Sequence, residues 1–431
     1  MTRRRSLRRW ISLLLPICVL GFALLPVMRL LAATTYSVET LAEQLIGGSE
    51  IVDVSEDNKF AAVVGKNDVN YRLRLLNLAN NTFIQPSFDL KGALVAAGYN
   101  LGLDQPVASS VAISPVDNNG TYYAIVTLRE IVEQTTHPGK VVLININSAG
   151  QGSLRPGVAP ITVGINPESV DIALSGEYAV VANQGGMSEG LGGTISVIDL
   201  RQGAGYNVQT YVPEAANPQP ETVAISRDSA RAFVTLQRSN AISILEFNTS
   251  TVPLTFTRKT QGLPTPALRP DGLAVSPDGN YLVTANEQAV NKSVSLFRIN
   301  KETSTIALLQ TVLTPTTGAD PFGYTPEMAA TGVVGGQLRA FFSLQQPNAV
   351  GVYVVDQAQG RLLFDTLVPL NVSGQPNAAG PEGLVFADGI NVLVTANSES
   401  RNVSFVKVTS TEEPTPVPPA ANKQYFPIVR K

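Results

Sequence analysis

An acidic residue stands second in a phrase that recurs along this chain. The phrase is clearest as Pro270-Asp271-Gly272-Leu273-Ala274-Val275-Ser276-Pro277-Asp278-Gly279, and it returns with Glu168, Glu221, Glu327 and Glu382 in the place of Asp271. Two degenerate copies bring Glu50 and Ser109 to the same position, so six of seven copies carry a carboxylate there. Amides follow the same rhythm. Asn183, Gln237, Asn286, Gln345 and Asn397 close the second apolar run of five copies, with Lys66 and Arg129 at or near the matching place in the first two. Carboxylates in such a pattern have two uses. Each can accept charge-assisted hydrogen bonds from backbone N–H groups or a neighbouring amide, stapling one copy to the next. Gathered at one point, they repel one another and need a cation, and an all-oxygen donor set of Glu168, Glu221, Asp271, Glu327 and Glu382 points to Ca²⁺ or Mg²⁺. Repetition favours the structural use, because a site needs asymmetry. The asymmetry present is Ser109 with Arg129 in the second copy, Lys66 in the first, and the charged neighbours Glu287 and Glu399.

Other chemistry is sparse. The single cysteine, Cys18, lies in an N-terminal apolar run, which excludes disulfide scaffolds, cysteine-ligated zinc, iron–sulfur clusters and covalent haem in the processed chain. The one histidine, His137, precedes Pro138-Gly139 and reads as a surface turn residue. Residues 184–193 form a Gly-rich segment that reads as a spacer or a lid. No Gly-x-Gly-x-x-Gly or P-loop pattern leads from a strand into a helix, so no phosphate cradle is expected. Asn-x-Ser/Thr sites at Asn80, Asn119, Asn248, Asn291, Asn371 and Asn402 matter only in a glycosylating host.

The elements that would position these residues follow from the repeat itself. Copies start at 49, 108, 167, 220, 270, 326 and 381, a period of 50 to 59 residues. In each, a short Val/Ile/Leu/Ala run meets a tight-turn sequence and a second apolar run returns antiparallel. An alternating third strand follows, as in Thr194–Leu200 and Ser293–Ile299, and a weaker fourth comes after it. No segment shows sustained helical periodicity. Four antiparallel strands per unit of about 50 residues make one propeller blade, and seven units predict an all-β, seven-bladed β-propeller over residues 34–408. The first strand of a blade lines the central channel, so the acidic position of every copy is expected at one channel mouth. The last copy lacks its outermost strand before a Pro/Thr-rich segment starts at 409. Thr34–Leu41 precedes the first copy with no partner of its own, and is expected to complete the seventh blade and hide two open edges.

The same residues carry a resemblance. Arg269-Pro270-Asp271-Gly272-Leu273-Ala274-Val275 through Leu282-Val283-Thr284-Ala285-Asn286 resembles the repeat of YVTN-type β-propellers, and the phrase from Pro381 to Asn397 is similar to a group of bacterial cell-surface propellers. The resemblance covers about residues 49–408, strongly in four copies. It implies the seven-bladed ring and a family that spans lactone hydrolases, binding proteins and surface-layer proteins, so the fold does not choose the function.

The ends read as addresses. Residues 1–33 combine Arg3, Arg4, Arg5, Arg8 and Arg9 with an apolar run from Ile11 to Met28, which is the pattern of a signal peptide, or of a membrane anchor if uncleaved. Residues 409–424 are a stiff spacer, and 425–431 a short apolar and basic tag similar to carboxy-terminal tails of secreted bacterial proteins. The whole chain has a net charge of −3; without residues 1–33 it keeps 25 basic and 34 acidic residues, a net charge of −9. Such a domain repels phosphate backbones, and no nucleic-acid partner is expected. These features point to an extracytoplasmic, secreted or cell-surface protein, with membrane contact only through the N-terminal segment. Lacking a nucleophile–base pair, it is expected to be a non-enzymatic binder of a protein, small-molecule or glycan ligand at the channel mouth, in a cell-envelope assembly. The alternative is a metal-assisted lactone or ester hydrolase, against which the paucity of His and Arg at channel positions counts. A redox role would require a cofactor from another subunit.

Overall fold

The computed structural model describes residues 34–43, 45, 51–65, 68, 70–117, 119–130, 136–186, 192–201, 205–264, 267–288, 291–316 and 323–410. These form seven antiparallel sheets whose innermost strands touch in cyclic order, the first against both the second and the seventh. Blades 3 to 6 take their four strands in chain order; blade 5, for example, runs Pro270–Val275, Tyr281–Asn286, Ser293–Asn300 and Thr305–Leu313. In blades 1 and 2 the outermost position is shared by two short strands, Thr82–Phe83 with Phe88–Asp89 and Gly152–Leu154 with Ile161–Ile165. A helix, Leu90–Ala96, leads from blade 1 towards blade 2, with Asp89 capping it through Gly92 N–H. At seven residues it is too short to leave a periodic signature in the sequence.

The strands form because their side chains have two dry faces to fill. Tyr178–Asn183 is buried at all six positions: Val180 and Ala182 enter the seam with blade 4, while Ala179 and Val181 enter the seam with blade 2. One apolar cluster occupies each of the seven seams, so the core is a ring of thin layers and the axis remains free. Alternating small and large residues along the second strands let the blades approach at the taper near the axis.

The seventh blade is built from both ends of the chain. Thr34–Thr40 pairs antiparallel with Asn402–Ser410, from Thr34 opposite Ser410 to Thr40 opposite Ser404, so the expected closure is present and the last strand runs two residues into the segment read as spacer. Blade 6 clamps this closing strand. The buried guanidinium of Arg339 bonds Asp365 at 2.6 Å, the Tyr36 hydroxyl at 3.2 Å and the Thr34 hydroxyl at 2.7 Å.

Removing residues 34–40 is expected to leave Asn402–Ser410 as an open edge, so that the truncated chain self-associates in size-exclusion chromatography. Arg339→Met in the intact chain is expected to cost about 1.5–3 kcal/mol in a denaturant melt, the range for hydrogen bonds to a charged group; an unchanged midpoint would show that the clamp contributes nothing.

Candidate functional site

The innermost strands of blades 2 to 7 each begin with a fault in the ladder. In blade 3 Pro167 pairs with Asn183 and Ser169 with Ala182, so Glu168 has no partner of its own; in blade 7 Pro381 pairs with Asn397 and Gly383 with Ala396, which leaves out Glu382. The shift recurs across Ser109 in blade 2, Glu221 in blade 4, Asp271 in blade 5 and Glu327 in blade 6. A β-bulge bends its strand and re-aims the extra side chain. Here the extra residue is the acidic one of the repeat, and five bulges turn Glu168, Glu221, Asp271, Glu327 and Glu382 into one cavity of about 310 Å³ at the channel mouth. Glu287 and Gln184 join them, and Ile51, Ser169, Thr222 and Met328 complete the lining with Gln345. Gly272 is required at this point, because a β-carbon there would overlap the Glu327 carbonyl oxygen and the Met328 backbone.

The bulges also knit the ring. The Thr222 N–H freed from its ladder donates to the Thr235 hydroxyl at 2.9 Å, which in turn donates to the carbonyl of Asp271 in the next blade at 2.8 Å. Ser343 makes the same link between Met328 N–H at 3.0 Å and the Glu382 carbonyl at 3.3 Å.

Polar partners hold the crowded carboxylates. Arg129 forms an ion pair with Glu168 at 3.1 Å. Glu221 accepts from Gln184 at 2.9 Å and Gln219 at 2.7 Å, and burial, then the neighbouring Asp271 charge, pushes its carboxyl up to about 8. Gln237 donates to Asp271 at 3.3 Å and to Glu287 at 3.4 Å, and Arg269 pairs with Glu287 at 3.3 Å. Burial, then the charges of Glu327 and Glu287, raise Asp271 well above the usual carboxylate range, and it shares a hydrogen bond with Glu327. The mouth therefore relieves its own repulsion partly by keeping protons.

Several sequence-derived site residues stand elsewhere. Asn183, Asn286 and Asn397 do not reach the mouth: all three are fully buried and donate sideways to the third strand, Asn183 to Ser196 at 3.0 Å, Asn286 to Ser295 at 2.8 Å and Asn397 to Ser404 at 2.8 Å. The side chain of the last residue in the second strand faces its own sheet, a direction the repeat does not reveal. Ser109 is buried too, with its hydroxyl on Thr127 and the Pro167 carbonyl. Gln345 lines the cavity and Gln237 braces it, whereas Glu50 and Lys66 lie outside the described residues. Residues 187–191 of the Gly-rich segment also lie outside them. The five carboxylates expected to be metal ligands share a cavity but not a coordination sphere. Among the described residues, the His, Asp and Glu group whose ligand atoms all fall within 4.8 Å of one another is Asp104, Glu130 and His137, not a set at the mouth. Gln184 and Gln219 escaped sequence reasoning, because each reaches Glu221 from a loop with no repeated pattern.

The far end of the channel holds a second cavity, of about 290 Å³, whose charged residues are bonded differently. Asp53 accepts Val54 N–H at 2.8 Å and Ile113 N–H at 2.7 Å, joining blades 1 and 2, and Asp171 does the same for Ile172 and Ile225 in blades 3 and 4. Burial raises the first to about 6; burial and the Asp53 charge raise the second to about 7. Across this end Arg227 of blade 4 reaches Glu56 of blade 1 at 3.1 Å and Asp388 of blade 7 at 3.0 Å, on the opposite side of the ring.

No protein-family model matches this sequence, and no curated protein matches it. Solved structures share its fold. A hydrazine synthase structure from Kuenenia stuttgartiensis is 15% identical over 86% of this chain and 98% of that one, with a TM-score of 0.55. A periplasmic gluconolactonase of Pseudomonas aeruginosa is 14% identical over 86% and 92%, also at 0.55. The Cps50 (Swd1) β-propeller domain of Myceliophteria thermophila is 9% identical over 86% and 99%, at 0.53. At such identities the likeness concerns the ring alone, and the three differ in what they are named for.

The raised carboxyls make stability depend on pH in a fixed direction. An acid whose folded pKa exceeds its unfolded value binds its proton more tightly in the folded state, so its contribution is complete below the unfolded value of 4.5 and is lost as pH climbs towards about 8 for Glu221. Asp53, Asp171 and Asp271 shift in the same sense. The urea midpoint is expected to fall between pH 5 and pH 8.5, and Glu221→Gln to flatten that fall; a midpoint that rises over this range would contradict the assignment.

Proposed function

We propose that this chain is an exported, non-enzymatic binding protein whose acidic channel mouth takes up a cationic group, such as the lysine or arginine side chain of a partner protein or a small organic amine. One observation carries the reading. Six carboxylates from blades 3 to 7 face one cavity, and although Asp271 and Glu327 are close enough to share a hydrogen bond, no three of the six, all among the described residues, bring ligand atoms within 4.8 Å of one another. A single Ca²⁺ ion needs six to eight oxygens at about 2.3–2.6 Å, and so a tight cluster of ligand atoms. An ammonium or guanidinium group, with three to five donors spread over its surface, suits separated acceptors better. Low-dielectric walls strengthen the attraction, and a −9 domain draws cations to it at a distance. Uptake of a cation at neutral pH would replace the protons held by Glu221 and Asp271. The signal-like N-terminus and the spacer with its tag support a place in a cell-envelope assembly.

A second reading, hydrolysis of a lactone or ester, is favoured by one feature. Glu221, kept protonated to about pH 8, and Glu168, ion-paired with Arg129, offer a proton donor and a charged acceptor in the same cavity. The gluconolactonase among the structures of similar fold is consistent with it.

Titration calorimetry at low salt separates the two. Spermidine and an Arg-rich peptide are expected to bind, and Glu327→Gln with Glu382→Gln to weaken them by about tenfold or more, as loss of charge-assisted bonds would. Binding that survives both substitutions would sink the cation reading, and turnover of a lactone or ester that Glu221→Gln abolishes would establish the second.

A further inference from the structure

The one histidine of the chain has a setting that a surface turn does not explain. Leu128 pairs with Lys140 across the second and third strands of blade 2, and beyond this pair His137, which precedes the third strand, stands beside Glu130, the last residue of the second. Glu130 also pairs with Pro106, which draws the preceding Asp104 alongside. The buried Glu130 carboxylate accepts the Asp104 N–H at 2.7 Å and lies 2.8 Å from His137 Nδ1. Ligand atoms of Asp104, Glu130 and His137 all fall within 4.8 Å of one another.

We propose that Asp104, Glu130 and His137 bind a divalent first-row transition-metal ion, with Zn²⁺ as the probe. Ligand chemistry selects that class. One imidazole nitrogen with two carboxylate oxygens suits Zn²⁺ or Mn²⁺, whereas Ca²⁺ takes oxygens alone. The spacing is suitable as well. Two neighbouring ligands of an ion with bonds of about 2.0–2.1 Å stand roughly 3 Å apart, and Nδ1 and the Glu130 oxygen are already 2.8 Å apart. In the metal-free chain Nδ1 and the Glu130 carboxylate are hydrogen-bonded to each other, and an ion would take the place of that bond. Glu130 is fixed as the last residue of a strand, and Asp104 and His137 stand two and one residues before the strands that flank it. Three protein ligands leave further positions for water or for a donor atom from a partner. Arg129, the neighbour of Glu130, pairs with Glu168 of the acidic mouth, but none of the trio lines that cavity, so the two sites are distinct. The inference therefore does not depend on what the mouth binds.

Equilibrium dialysis and ¹H–¹⁵N spectra of the lone imidazole test it on the intact mature chain. One Zn²⁺ per chain is expected, with a dissociation constant of about 10 µM or tighter, a shift of the imidazole signals on binding, and no effect of Ca²⁺ on them. His137→Ala, an exposed position that the fold tolerates, is expected to weaken Zn²⁺ binding by about 100-fold, while Glu221→Gln leaves it unchanged. Unchanged Zn²⁺ affinity in His137→Ala, loss of binding only in Glu221→Gln, or no saturable binding below about 1 mM would each overturn the proposal.

Discussion

The bulge at the start of the innermost strand in blades 2 to 7 is the constraint on which both the ring and its mouth depend. It releases one residue per blade from the ladder, and in five blades that residue is acidic and faces the axis. It also frees backbone N–H groups that must find acceptors once buried. Thr235 and Ser343 supply them and pass their own protons to the next blade's carbonyl. One local irregularity thus produces the inter-blade link and the convergence of charge. Seven apolar seams give the ring its stability, but they leave the register of neighbouring blades at the axis to these directional bonds.

Gathering like charges has a cost that the chain offsets by uneven means. Glu168 has a guanidinium, Glu221 two amides, Asp271 an amide and a hydrogen bond with Glu327, and Glu287 a guanidinium. These partners come from loops and strand ends that differ from blade to blade, so a nearly sevenfold scaffold carries an asymmetric site. Specific recognition requires that asymmetry, because a fully symmetric ring would present equal acceptors in every direction.

Most of the ring could be read from the residues because repetition writes the same physical demand many times. Paired dry faces leave strings such as Tyr178–Asn183, the Ser-Pro-Asp-Gly turns mark hairpins, and an unpartnered Thr34–Leu41 beside a blade short of one strand implies closure. The acidic positions were legible for the same reason. What could not be read was direction. The repeat places Asn286 and Asp271 at neighbouring ends of adjoining strands, yet Asp271 faces the channel because of its bulge while Asn286 turns into its own sheet. Contacts made once were invisible too. Arg227 reaching across the far end, or His137 beside Glu130, leaves no second copy from which the pattern could be learned.

The two ends of the channel use their charges differently, and this bears on which one meets a ligand. At the far end Asp53 and Asp171 have both oxygens committed to backbone N–H groups, and Glu56 and Asp388 are joined by Arg227 across the opening. The charges there are spent on the fold. At the near end six carboxylates face the cavity, with Arg129 and Arg269 as their guanidinium partners among the described residues. Protons retained on buried acids cover part of the difference, and a proton is the counter-ion most easily exchanged for another cation as pH rises. The far end holds raised carboxyls too, Asp53 at about 6 and Asp171 at about 7, but their oxygens are already taken by backbone N–H groups, whereas the near mouth leaves carboxylates facing its cavity. The near mouth is therefore the end that suits the proposed uptake of a cation, whereas the charges of the far end tie blade 1 to blade 2, blade 3 to blade 4, and blade 4 to blades 1 and 7.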